Sequence, residues 1–181
     1  QTVGDYLIVE LIKYDKLQRI NDDKIKIKIS DTINIKDENN KNIKFNLIGT
    51  INHLGVNMNL GHYTSYIKKN TNEYEWYHCD DNKIKGHTRE EIFTFMKTNK
   101  PYIIFYEREN IKKNGSRNRK PFGINNFGNT CFCNAVLQNL FNLNEFKNFV
   151  TKLPKKKGGK KCDKDKLQEC LKKGKVCNEV T

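Results

Sequence analysis

The 181-residue sequence has no CxxC pair, no internal repeat, and no apolar run near the roughly 20 residues that a membrane span needs. Without paired CxxC motifs a zinc ribbon is not indicated. The adjacent His78 and Cys79 have no second pair at matching spacing, so no metal and no cofactor is expected. No signal-peptide pattern is present. The six cysteines (Cys79, Cys131, Cys133, Cys162, Cys170 and Cys177) therefore read as reduced thiols of an intracellular protein, cytoplasmic or nuclear, with no membrane partner. Acidic residues are the scarcer charge: 21 against 34 Lys and Arg, a formal net charge of +13. Such a surface attracts nucleic acid or anionic membrane. The charge is not gathered into an aromatic-interleaved stretch, however, so a dedicated nucleic-acid surface is not favoured over compositional bias and solubility. Hydrophobic content is low, at 36%, but the apolar residues cluster. The length suffices for one domain with a core, or one domain plus a loose tail. A strand-like run begins almost at Gln1, so the start reads as cut or processed.

Strands are expected at 6–14 (YLIVELIKY), 24–29 (KIKIKI, with period two), 44–53, 63–68, 74–79 and 101–107. Residues 36–43 read as a turn and 53–63 as a Gly- and Asn-bearing loop, while Asp80, Asp81 and Asn82 form a turn signal. Thr88 and Glu91 have capping-box spacing ahead of a helix of about ten residues. Residues 130–150 read as helical, with Val136, Leu137, Leu140, Phe141 and Leu143 on an apolar side. The organisation expected is a sheet part at 1–107, a polar, basic linker at 108–121, a helical part at 122–153, and a Lys-rich tail at 154–181 with a short amphipathic stretch around Leu167 to Leu171.

Cys131 falls where a glycine-bearing polar loop runs into a helix, in GINNFGNTCFCNAVLQNLF (123–141). The unpaired amides and dipole of a helix N-terminus stabilise a thiolate, and they also face negative charge on a bound carbonyl. The plainer alternative is a buried small hydrophobe, the role expected of Cys133. His62, between Gly61 and Tyr63 at the mouth of a strand, is the candidate base. If strands 63–68 and 74–79 form a hairpin, antiparallel pairing brings His62 to the same end as Asp80 and Asp81, either of which can orient the ring. The alternative is a structural histidine beside a solvated turn.

Taken together these blocks resemble the ubiquitin-specific protease family of cysteine deubiquitinases. GINNFGNTCFCNAVLQNLF is similar to its Cys box (roughly GLxNxGNTCYxNSxLQ). HLGVNMNLGHYTSYIK with WYHCDD is similar to its His box (HxGxxxxGHYxxY, then Wxxx(D/N)D). DYLIVELIKYD and PYIIFYER resemble two further family strands. The resemblance covers 5–107 and about 121–152. It implies an α+β, papain-like fold, with Cys131 at a helix N-terminus facing an antiparallel sheet (palm). Cys131 would be the nucleophile, His62 the general base, Asp80 the residue orienting it, Asp81 a supporting carboxylate and Asn126 the oxyanion-hole amide. Gly61 and Tyr63 would flank the substrate channel, and 54–61 would correspond to a blocking loop. The implied partners are ubiquitin or ubiquitinated proteins.

Three departures accompany the resemblance. The His box here precedes the Cys box, the reverse of the family order, which implies a circular permutation. A linker at 108–121 reaches about 48 Å when extended, against a radius of gyration of about 16 Å for a compact chain of this size, so the permuted connection is feasible. The family's QQDAxEF helix and zinc-bearing fingers are missing, so the chain is expected to be partial. The alternative to an active enzyme is thus a catalytically incomplete ubiquitin-binding half-domain needing a partner segment, such as the missing fingers or thumb. The tail 154–181 shows no match to the family pattern.

Overall fold

A computed structural model describes residues 3–13, 28–57, 60–69, 71–99, 101–111 and 120–152. The strand expected at 24–29 falls largely outside these, and 28 and 29 are not in a strand. The tail 154–181, with its amphipathic stretch, and most of the linker also lie outside the described residues.

Among the described residues, seven strands form one antiparallel sheet. They are β1 (Tyr6–Glu10), β2 (Thr32–Lys36), β3 (Asn42–Asn57), β4 (Leu60–Lys68), β5 (Trp76–Asp80), β6 (Lys83–His87) and β7 (Ile103–Arg108). The order is β1-β7-β3-β4-β5-β6, with β2 paired to β3. The helices are α1 (Arg89–Thr98), α2 (Cys131–Leu140) and α3 (Asn144–Lys152). The fold is α+β. Side chains alternate between two cores, as the period of a strand requires. Ile104 and Tyr106 join Phe45, Leu47 and Trp76 against Ile92 and Met96 of α1. Phe105 joins Ile48 and Ile51 on the other face, against Ala135 of α2 and Leu143.

Several sequence expectations are met locally. Thr88 and Glu91 form the full capping box. Asp81 turns the chain between β5 and β6 at φ 50, a left-handed conformation that Asp adopts more readily than most residues. Others need correction. β2 and β6 are short strands whose half-polar composition hid them. The expected loop 53–63 is largely a hairpin: β3 continues to Asn57 and β4 begins at Leu60, with a register shift between Leu54 and Asn57. Gly55 and Gly61 read as loop residues in the sequence. They serve instead to let the two backbones approach closely, since a Cβ at Gly55 would collide with the Leu60 carbonyl and one at Gly61 with the Leu54 carbonyl. The Asn57 side chain closes the turn by accepting the Leu60 amide at 2.9 Å. Of the expected blocking loop 54–61, residues 54–57 and 60–61 are strand. The single helix expected at 130–150 is two, interrupted at 141–143, where Asn142 donates its amide to the carbonyls of Ile48 (3.0 Å) and Lys68 (3.3 Å).

Candidate active site

β4 and β5 pair so that Ser65 faces Cys79. Continuing that register sets Thr64 against Asp80, and His62, two residues earlier, becomes the diagonal neighbour of Asp80 on the same face. The side chains meet: His62 Nε2 lies 2.6 Å from Asp80 Oδ1. With Nε2 donating to the carboxylate, Nδ1 is the ring nitrogen left for proton exchange. Both side chains are about one-third exposed, at 38% and 33%, so a substrate can reach them.

Asp81 turns its carboxylate the other way, toward the segment that carries Cys131. Its Oδ2 accepts the Asn126 amide at 2.9 Å and its Oδ1 accepts the Asn134 amide at 2.7 Å. Its backbone carbonyl accepts the Ile124 N–H at 3.0 Å. Two adjacent carboxylates at one turn thus hold the histidine and the cysteine-bearing segment respectively. Gly123 completes the docking, since a Cβ there would run into the backbone of Asn82.

Cys131 is the first residue of α2 and is partly exposed. Among the described residues, the residue at its N-cap, Thr130, makes no side-chain cap bond. The hydroxyl of Thr130, at the capping position, instead donates to Asn126 Oδ1 at 3.0 Å and accepts the Phe127 N–H at 2.9 Å. Helix α2 packs against β4 and β5. The ring of Phe132, next to Cys131, meets the ring of Tyr63, next to His62, at 5.6 Å. Burial, and secondly the charge of Cys131, holds the Tyr63 phenol above its ordinary range. Each expected reactive residue therefore lies one position from a shared aromatic contact.

Cys79 contrasts with Cys131: burial pushes its thiol up to about 12, which leaves it inert. Cys133 was expected to be a buried hydrophobe and is exposed. Ligand-type atoms of His62, Asp80 and Asp81 lie within 4.8 Å of one another, close enough to hold a cation. Their hydrogen bonds to each other and to Asn126 and Asn134 already account for that clustering. An open cavity of about 360 Å³ adjoins the site, lined by Asp80, Asp81, Lys83, Asn125, Asn126 and Phe127.

Sequence reasoning missed Asn134, Gln138 and Asn139. It placed the packing side of α2 on Val136, Leu137 and Leu140. Those residues do pack against apolar clusters, half-buried, and Phe141 and Leu143 beyond the helix are buried, but the most fully buried residues of the helix are Asn134, Ala135, Gln138 and Asn139. Gln138 donates to the Phe122 carbonyl at 2.6 Å and Asn139 to the Thr50 carbonyl at 3.0 Å. The available signal was a run of amides at i, i+4 and i+5 within one short helix.

An antiparallel sheet presenting a His–Asp pair beside a cysteine at a helix N-terminus is the architecture of papain-like cysteine hydrolases. The chain belongs to the ubiquitin carboxyl-terminal hydrolase family, whose sequence profile matches residues 3–106 and 122–179. That match reaches into the Lys-rich tail, correcting the expectation that the tail lies outside the family pattern. Among curated relatives, ubiquitin carboxyl-terminal hydrolase 51 of Mus musculus is 34% identical over 70 residues, which are 39% of this chain and 10% of that protein. Ubiquitin carboxyl-terminal hydrolase 9 of Saccharomyces cerevisiae is 43% identical over 54 residues, 30% of this chain and 7% of that protein. The matched stretch thus spans a tenth or less of these relatives. Among solved structures, the Ubp8-Sgf11-Sgf73-Sus1 SAGA DUB module aligns with a TM-score of 0.48 at 23% identity, covering 61% of this chain and 25% of that one. Among the described residues no helix is long and apolar enough to cross a membrane.

Proposed function

We propose that this chain is a thiol-dependent deubiquitinase that hydrolyses the bond after the C-terminal glycine of ubiquitin. Its catalytic segments stand in permuted order, His62 before Cys131. The observation that carries the reading is the pair of neighbouring carboxylates: Asp80 bound to His62, and Asp81 bound to the Asn126 loop and the Cys131 helix. A turn that ties a histidine on one segment to a cysteine helix on another is what a Cys–His hydrolase needs.

In this reading His62 Nδ1 takes the Cys131 proton, and the thiolate attacks the glycine carbonyl carbon. The oxygen gathers negative charge, met by the Asn126 amide and by the uncapped amides opening α2. The imidazolium returns its proton to the departing lysine amine as the C–N bond breaks, leaving a thioester. Water, deprotonated by His62, then attacks the thioester carbonyl, and ubiquitin leaves with a free carboxylate as the thiol is restored. Gly61 and Tyr63 flank the approach of the ubiquitin tail, and the exposed Leu54, Leu60, Phe127 and Phe132 offer it an apolar path. The reaction would take place where ubiquitin conjugates are, in cytoplasm or nucleus.

Ubiquitin carrying a C-terminal electrophile tests this directly. It should label Cys131, not Cys133; Cys131→Ala should abolish labelling, and His62→Ala should slow it by about a hundredfold or more. Labelling indifferent to His62 would overturn the assignment. The short span relative to the curated relatives favours a second reading, a ubiquitin-binding half-domain that becomes active only with a partner segment. That reading predicts ubiquitin binding without labelling.

A further inference from the structure

Asn134 lies in the first turn of α2, three residues after Cys131, and is 95% buried, with 5% of its surface exposed. Its amide nitrogen reaches the carbonyls of Ile124 at 3.4 Å and Asn125 at 3.2 Å, but its shortest bond, 2.7 Å, goes to Asp81 Oδ1. The other oxygen of the same carboxylate takes the Asn126 amide at 2.9 Å. Asn126 is also held at its far end, where Oδ1 accepts the Thr130 backbone N–H at 3.2 Å and the Thr130 hydroxyl at 3.0 Å.

We propose that Asn134 is a positioning residue for the oxyanion: by anchoring Asp81 it fixes the plane of the Asn126 amide. This rests on the deubiquitinase reading above. An amide group is planar and carries two N–H bonds. With the oxygen gripped by Thr130 and one N–H by Asp81, the direction of the remaining N–H is set before substrate arrives. A donor aimed in advance costs no reorganisation when charge develops, whereas a free side chain must lose rotamer entropy at that moment. Asn134 matters in a second way. It donates to Oδ1 of the carboxylate whose Oδ2 accepts from Asn126, so it tempers the negative charge held beside that amide.

The test compares two probes on the full chain. A ubiquitin C-terminal alkyne captures the thiol by addition across the triple bond, with no oxyanion formed. A ubiquitin C-terminal aryl amide is hydrolysed through a tetrahedral oxyanion. Asn134→Ala should lower kcat on the amide by about 10–100-fold. KM and the rate of alkyne capture should change by no more than about threefold. Asp81→Asn, which keeps the volume, should split the probes in the same way and carries the test if the alanine variant does not fold. Asn126→Ala combined with Asn134→Ala should be no worse than Asn126→Ala alone, because the two act as one unit. Equal losses on both probes, or losses that multiply in the double variant, would overturn the proposal. If the wild-type chain reacts with neither probe, the deubiquitinase reading fails on its own, and the clamp is then read by NMR. The Asn126 side-chain proton bonded to Asp81 should exchange more slowly in the wild type than in Asn134→Ala, and unchanged exchange would sink the clamp.

Discussion

The two faces of the sheet are covered by helices of equal length in different ways. Helix α1 buries Ile92 and Met96 and meets the sheet through hydrocarbon. Helix α2 rests half-buried Val136, Leu137 and Leu140 on apolar clusters, but what it buries fully, around Ala135, is Asn134, Gln138 and Asn139, whose amides bond to particular backbone carbonyls and to Asp81. Hydrocarbon contact is non-directional and tolerates small shifts. A hydrogen bond to one named carbonyl does not, since it weakens steeply with angle. Apolar packing therefore suits α1, which supports the fold, and directed amides fix the orientation of α2, which carries Cys131 at its first position. Gly49 reflects the same economy: a Cβ there would collide with Asn139 Oδ1, so the glycine makes room for the amide.

That contrast breaks most visibly on the α1 side. Ile92 is fully buried, so Ile92→Ala should cost about 2–5 kcal/mol in denaturant unfolding. Under conditions where the variant remains folded, its rate of capture by a ubiquitin electrophile should stay within about twofold of wild type, because Ile92 belongs to a hydrocarbon core with Phe45, Leu47 and Met96. A slow variant would mean that α1 also sets the site and the contrast is false. The α2 side should respond in the opposite proportion. Gln138→Leu preserves bulk but leaves the Phe122 carbonyl without its donor, costing about 1–3 kcal/mol. Phe122 leads into the Asn126 loop, and a small displacement there should slow capture by about 10–100-fold. A variant that unfolds more easily yet reacts at full rate would show that the amides only stabilise.

How much of this was legible in the sequence follows from the range of each signal. The Thr88–Glu91 capping box is a four-residue pattern with its mechanism built in, and it formed as read. The meeting of His62 with Asp80 followed from hairpin pairing alone. What stayed hidden depends on neighbours far along the chain. A short strand such as β6, with Lys83, Lys85 and Gly86, is a strand because β5 pairs with it. Gly55 and Gly61 resemble loop residues until the two backbones are seen side by side. An asparagine on a helix looks like a solvated residue unless the carbonyl it serves, some 89 positions away in the case of Asn139, is known. The family pattern carried the catalytic assignments but gave no reason for Asn134 to be buried.

The smallest effect concerns protons on the α1 side. His78 sits on β5 with its ring 4.9 Å from Tyr66 and 6.3 Å from His87. Burial, the largest influence, holds its pKa below the ordinary 6.5, and the neighbouring Asp80 only partly opposes this. A histidine of this kind is neutral in both states above about pH 6.5, so it leaves stability unchanged there. As pH falls through that value toward the lower folded pKa, the unfolded chain takes up the proton and the folded chain does not. Stability contributed by the buried ring is then lost. His53 has the same sign, lowered by burial and then by Lys13, so one of two contributions disappears in His78→Gln. Thermal midpoints measured from pH 7.5 down to 5.5 should therefore fall less steeply in His78→Gln than in wild type, and the two profiles should run parallel above pH 7. A steeper fall in the variant would mean that the protonated ring finds a partner on this face, and the account of it as a hydrocarbon-like layer would have to be abandoned.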